Sequence, residues 1–178
     1  IYGYIVFAEL VKKVPKRIIA YYNFQKFIDP YVLSLIKNKD IEIVDSSVIP
    51  IVDVVRNYEI DKIYSPLYSP LYNDLIRQGV EFIITIHGLR SLEMFTDIEE
   101  KNYAFNLKNK LKALIKLTPL ANYVSKRYYR NYKMLFTAVN VHIVTVSQHT
   151  RYSIKSFFPK VNIDDIPVFY SPSTTIEK

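Results

Sequence analysis

The sequence predicts an α/β protein built on a doubly wound, mostly parallel sheet with helices on both faces. Short β-branched runs alternate along the chain with stretches of helical length. Several of those runs are apolar at nearly every position, as in Phe82-Ile83-Ile84-Thr85-Ile86, which is the pattern of a strand covered on both sides. The chain has 178 residues, 49% of them hydrophobic, enough for one domain with a sizeable core but short for an enzyme carrying two substrate sites. One domain over 1–178 is therefore expected.

Gly3 lies in Ile1-Tyr2-Gly3-Tyr4, ahead of an apolar-periodic helix over 4–13. This start reads either as the tail of a glycine-bearing loop after a strand preceding Ile1 or as a frayed terminus. A strand over 16–22 follows, then a helix over 30–38 opened by Pro30, a strand over 41–44 and a helix over 48–58. After a strand over 62–64 comes a helix over 70–78, with Pro70 in its first turn and Gly79 where a left-handed cap belongs. The buried strand over 81–87 precedes a long helical pair over about 100–136, which Pro119 divides. A strand over 141–147, a helix over 148–157 and a short strand over 167–170 complete the pattern. The start without methionine and the polar end over 173–178 suggest a piece of a longer protein.

With no cysteine, the chain can form no disulfide, thiolate metal site or iron–sulfur cluster, which suits a reducing cytosol. No apolar run is long enough to span a bilayer, and residues 1–20 lack the features of a signal peptide. Neither a cofactor nor a metal site is expected, and the expected location is cytoplasmic, peripheral at the inner face of the membrane.

In an open parallel sheet, ligands bind beyond the carboxyl ends of the strands, so the residues after each strand are the candidates for chemistry. His87 and Gly88 follow the most apolar strand. A histidine there can donate a hydrogen bond or move a proton, Gly88 permits close backbone approach, and Arg90 can meet a phosphate or carboxylate. The same spacing also fits a histidine at a sheet edge with Arg90 and Glu93 paired on one helical turn. Ser147 suits the N-cap of the helix over 148–157, whose first turn attracts anions. Tyr64-Ser65-Pro66-Leu67-Tyr68-Ser69-Pro70-Leu71-Tyr72 carries three tyrosines, which either line a sugar groove or simply pack. Of the other histidines, His142 reads as a sheet residue and His149 as a solvent-facing residue of a first helical turn.

The net charge of +7 has one source, because residues 101–133 hold nine basic residues and no acidic one, leaving 15 basic against 17 acidic elsewhere. Leu107, Leu111, Leu114 and Ile115 mark an apolar face expected to be buried, with Lys108, Lys112 and Lys116 in a row at four-residue spacing. After Pro119, Tyr123, Val124, Tyr128, Tyr132 and Leu135 mix with Lys126, Arg127, Arg130 and Lys133. Lys108, Lys112, Lys116, Arg127 and Arg130 are thus the candidates to face an anionic membrane, where each basic residue is worth about 1 kcal/mol. A solvated basic face is the alternative. Nucleic acid is not expected, since no motif that reads it is present.

Phe82 to Glu93 (FIITIHGLRSLE) and Val141 to Pro172 (VHIVTVSQHTRYSIKSFFPKVNIDDIPVFYSP) are similar, in order, to two stretches of the amino-terminal domain of group 1 (family 4) GT-B glycosyltransferases. Tyr2-Gly3-Tyr4 through Lys13 resembles that family's first helix. The resemblance implies a Rossmann-like half-enzyme that faces the acceptor, a nucleotide-sugar donor held mainly by a second domain, and a glycan or glycolipid acceptor in cell-envelope polysaccharide synthesis. It implies His87 as the catalytic residue, with Gly3, Gly88, Arg90, Glu93 and Ser147 binding substrate. Where the family carries an Asn-Gly turn this chain reads Tyr170-Ser171-Pro172-Ser173, so the hinge contacts do not carry over. A membrane-docking module without catalysis and a sugar-nucleotide epimerase of similar architecture are the competing expectations.

Overall fold

The computed structural model describes residues 2–13, 17–26, 29–94, 107–115 and 117–170, without the side chains at 2–4, 108 and 112. It is a mixed α/β structure with short parallel sheets. The described chain forms two compact units, one reaching to Pro66 and the other spanning Leu67–Tyr170.

In the first unit, α1 (Tyr2–Lys13), β1 (Ile19–Tyr22), α2 (Pro30–Asn38), β2 (Glu42–Asp45), α3 (Ile51–Asn57) and β3 (Lys62–Ser65) alternate. β1 and β2 pair in parallel from Ile19 opposite Glu42 to Tyr22 opposite Asp45. Asp29 caps α2 by accepting the Tyr31 N–H at 2.9 Å, and Pro30 supplies the preset first-turn φ. α3 starts three residues later than the sequence suggests. Asp45 accepts the Ser47 N–H and hydroxyl, both at 2.8 Å, which holds the segment after β2 as a turn until Pro50. Those Ser47 bonds, the backbone one foremost, hold the Asp45 carboxyl below the usual carboxylate range.

Arg17, Glu42 and Tyr58 meet at the amino ends of β1 and β2: Arg17 pairs with one Glu42 oxygen, Tyr58 donates to the other at 2.7 Å, and the guanidinium lies 5.6 Å from the Tyr58 ring centre. Ligands in such sheets bind at the opposite end, so this cluster is a structural tie.

In the second unit a 3₁₀ turn (Pro70–Tyr72), capped by the Ser69 hydroxyl, leads into α4 (Asn73–Arg77). β4 (Glu81–Ile86), α5 (Arg90–Glu93), α6 (Leu107–Ile115), α7 (Ala121–Thr137), β5 (Val141–Thr145) and α8 (Gln148–Phe157) follow. β4 and β5 are parallel, from Phe82 opposite Val141 to Ile86 opposite Thr145. Ile84, Thr85 and Ile86 are buried consecutively, so both faces of β4 are covered at its carboxyl end, as its unbroken apolar run predicts. The strand expected over 167–170 is a single parallel bridge of Val168 to Thr145, flanked by hydrogen bonds from the Thr145 N–H to Pro167 and from the Phe169 N–H to Thr145.

Helices α2, α3 and α4 end alike. Asp40, Glu59 and Gly79 adopt positive φ (50°, 52° and 89°), and the next residue's N–H reaches back to Ile36, Val55 and Leu75 respectively. Glycine occupies this position only once, which is why one of these three ends is visible in the sequence. At the amino ends of β4 and β5, the Asn140 amide donates to the carbonyls of Ile76 at 2.9 Å and Val80 at 2.6 Å.

The core of this unit gathers Leu75, Phe82, Ile84, Leu89, Leu135 and Ile154, with α7 and α8 packed on β5 and α5 on α7. Aromatic rings extend it: Tyr129 stacks on Phe158 at 4.9 Å, and Tyr132 contacts Tyr68 at 5.5 Å and Phe136 at 5.9 Å. Tyr132 and Leu135 therefore face the body, while Lys126, Arg127, Arg130 and Lys133 of the same helix stay exposed. The α7 face centred on Leu135 is the one with the body behind it.

Tyr68 gives this packing a titratable reporter. Burial pushes its phenol up to about 12 from an ordinary 10.0. The folded state thus keeps a proton that the unfolded chain releases first, so this contribution to stability is intact below pH 10.0 and is lost as the pH rises through about 12. A urea series across that window is expected to show a decline that Tyr68→Phe reduces. An identical decline in the variant would contradict this assignment.

Candidate functional site

The carboxyl ends of β4 and β5 bring the two sharpest sequence corners together. β4 delivers His87, whose side chain is exposed, and β5 leads into Ser147 at the start of α8. Ser147 takes the extended backbone of an N-cap, and its Oγ accepts the Thr150 N–H at 3.1 Å, as expected for serine before a helix.

Thr150 is the residue that joins the corners. It is almost wholly buried, and its hydroxyl donates to the His87 carbonyl at 3.1 Å. A hydroxyl has one proton, so in the 3.0 Å contact between Ser147 Oγ and Thr150 Oγ1 the donor is Ser147. The resulting relay runs from Ser147 through Thr150 to the backbone of His87. It fixes the corner by its main chain while the imidazole stands at the exposed edge. By helical geometry the N–H groups of Gln148 and His149 meet no intrahelical carbonyl and face the same end of the sheet.

The next residues anchor the corner from the other side. Leu89 is fully buried as the N-cap residue of α5 and draws the chain after Gly88 into the core. Gly88 needs no special backbone conformation, and a Cβ built there would meet nothing among the described residues within 4 Å. None of the described contacts demands glycine at 88. Glu93 binds across to α8, accepting the Ser153 hydroxyl in a short hydrogen bond, and His149 Nε2 lies 3.6 Å from the same oxygen. Glu93 is thus a brace between α5 and α8, and His149 faces solvent as expected, with the Glu93 carboxylate beside it. Burial pushes the Tyr132 phenol above its ordinary value, with a hydrogen bond to Ser91 drawing it partly back, which places α7 behind the corner.

Arg90 is exposed in the first position of α5. Gly3 lies inside α1, in the first unit, rather than in a loop before it. His142 is in β5 and exposed, 3.2 Å from Glu81 at the amino ends of the strands, away from this edge. Tyr68 donates to Asn73 at 2.9 Å and packs on Tyr132, the packing alternative for the tyrosine-rich segment. Among the described residues, no three of His, Asp and Glu gather closely enough to hold a metal ion.

Sequence reasoning missed Thr150 and Ser153. Their spacing of three puts both on one face of α8, and that was the signal present, but the partners lie 63 and 60 residues away. Thr150→Val, which keeps shape and loses the hydroxyl, leaves the His87 carbonyl and the Ser147 hydroxyl short of a partner. It is expected to lower stability by about 1–3 kcal/mol in urea unfolding, with Thr150→Ser restoring most of it. Equal stability of the valine variant and the native chain would show that the relay holds nothing.

The chain matches no protein-family model, no curated protein and no solved structure.

Proposed function

We propose that this chain is the acceptor-side half of a GT-B glycosyltransferase, a Rossmann-like, doubly wound domain that helps move a sugar from a nucleotide-sugar donor to a glycan or glycolipid acceptor. The observation that carries the reading is the Ser147–Thr150–His87 relay, which couples a histidine at the carboxyl edge of a parallel sheet to a helix start. The alternating strands and helices and the resemblance of residues 82–93 and 141–172 support it in the same order along the chain.

In this reading His87 is the catalytic residue. Its imidazole hydrogen-bonds the transferred sugar or the acceptor hydroxyl while the glycosidic bond to the diphosphate breaks. Gly88 admits the sugar close to the backbone, where a Cβ would meet none of the described residues within 4 Å. The start of α8 offers N–H groups and a favourable dipole to negative charge, and Arg90 supplies a cation. Glu93 acts through α8, keeping the edge in register. Positioning and charge stabilisation dominate such a reaction, and the nucleotide is held mainly by a second domain. The setting is cell-envelope polysaccharide synthesis at the cytoplasmic face of the membrane.

The test is release of nucleoside diphosphate by the full-length protein from a panel of sugar nucleotides, with envelope lipid extract supplied as acceptor. Release from one donor, dependent on acceptor, is the expected result. Conversion of a sugar nucleotide to its epimer without acceptor would replace this reading by an epimerase. Inertness toward every donor would overturn catalysis and leave a binding module.

A further inference from the structure

The apolar face of α6, expected to be buried, is turned to the outside. Leu107 is 86% exposed and Leu111 61%, with Leu114 also exposed, whereas Ala113 is buried at 4%. At 100° per residue, the three leucines lie roughly 100° to 160° around the helix from Ala113. The helix therefore buries a small residue and presents its leucine stripe outward. The exposed apolar series continues through Leu117 and Leu120 in the turn and Tyr123 in α7. That turn is well made: the Thr118 hydroxyl donates to Ile115 at 2.7 Å, and the Ala121 N–H donates to Thr118 at 2.8 Å. These leucines are thus held outward by a hydrogen-bonded turn.

Charge identifies what meets them. Lys110, Lys126, Arg127, Arg130 and Lys133 are exposed, and no acidic residue occurs between 101 and 133. The outer face of α7 also carries a shallow depression of about 510 Å³ lined by Ser125, Lys126, Tyr129 and Arg130, a set that suits a phosphate oxygen beside a half-exposed ring. A protein partner able to cover the leucines would have to bring its own carboxylates to every flank. An anionic bilayer offers both chemistries at once, hydrocarbon for the stripe and phosphate for its flanks. Among the described residues no helix is long and apolar enough to cross a membrane, so contact through this surface is interfacial.

We infer that α6 and the turn into α7 form an interfacial anchor, in which Leu107, Leu111, Leu114, Leu117 and Leu120 insert among the acyl chains of an anionic bilayer while the basic residues beside them bind headgroup phosphates. This goes beyond the glycosyltransferase reading and does not depend on it.

The experiment is co-sedimentation of the chain with vesicles of phosphatidylcholine and phosphatidylglycerol, compared with phosphatidylcholine alone. The expected result is binding to the anionic vesicles only. Leu111→Ser with Leu114→Ser should weaken it by about 10- to 100-fold without moving the unfolding midpoint, since both side chains are already exposed. Lys126→Glu with Arg130→Glu should also weaken it, with a loss of salt sensitivity. Because the chain has no cysteine, a fluorophore on Leu117→Cys reports insertion at one site, and its emission should shift to the blue on anionic vesicles. Binding that survives the leucine substitutions, or a label that stays in water, would overturn insertion. Leucine-dependent self-association without vesicle binding would assign the stripe to a second copy and overturn it too, as would leucine-independent binding to RNA in place of vesicles.

Discussion

Replacing His87 by alanine is expected to lower nucleoside diphosphate release by about 10²- to 10⁴-fold in the full-length protein, the range for a positioned proton-transfer or hydrogen-bonding group. Folding should be nearly unaffected, with a change in stability below about 1 kcal/mol, because the imidazole is exposed while the corner is held by other atoms. Those atoms are the His87 carbonyl, which takes the Thr150 hydroxyl at 3.1 Å, and the fully buried Leu89 two residues on. His87→Asn separates the two roles open to the imidazole. Asparagine keeps a hydrogen-bond donor and cannot shuttle a proton, so retained turnover would assign positioning, and loss equal to that of alanine would assign proton transfer. Unchanged release in the alanine variant, or a loss that follows unfolding, would remove His87 from the reaction.

Leu135→Ala is expected to destabilise the chain by about 2–5 kcal/mol in urea unfolding, since removing buried methyl groups loses their transfer free energy and leaves a cavity. Leu135 has no exposed surface, and its helix packs on both α5 and β5. Leu111→Ala, within the basic segment over 101–133, should change stability by less than about 0.5 kcal/mol, because Leu111 is 61% exposed. Similar losses in the two variants would mean that α6 buries its leucines after all, and would undercut both the core around Leu135 and the interfacial anchor.

These two leucines mark the limit of what periodicity conveys. In both helices, spacing of three and four announces a stripe, and the sequence reading expected the α6 stripe to be buried. A stripe specifies a face of the helix, not the side on which the rest of the molecule lies. Ala113, the residue of α6 that is buried, gives no hydrophobic signal that competes with four large aliphatic neighbours. The basic positions 108 and 112 fall in α6 as expected, but their side chains, like residue 116 as a whole, lie outside the described residues.

The strands were legible for a different reason. A strand buried on both faces must be apolar throughout, so β4 and most of β5 announce themselves, and the break at Pro119 follows from a missing N–H and a fixed φ. The Ser147 cap was legible because a helix start needs a local acceptor. The late start of α3 was not, since Asp45 and Ser47 compete for the backbone there, nor were two of the three left-handed helix ends, where Asp40 and Glu59 stand in for glycine.

Neighbours within a few residues dictate the α/β alternation, the buried strands, the site of the Ser147 cap and the concentration of positive charge over 101–133, so all of these are legible along the chain. That Thr150 holds His87, that Glu93 reaches Ser153 and His149, and that the leucines of α6 face outward are matters of tertiary packing. Those outcomes depend on groups brought together from about 60 residues apart, or on which side of a helix the core happens to lie, and no local pattern encodes either.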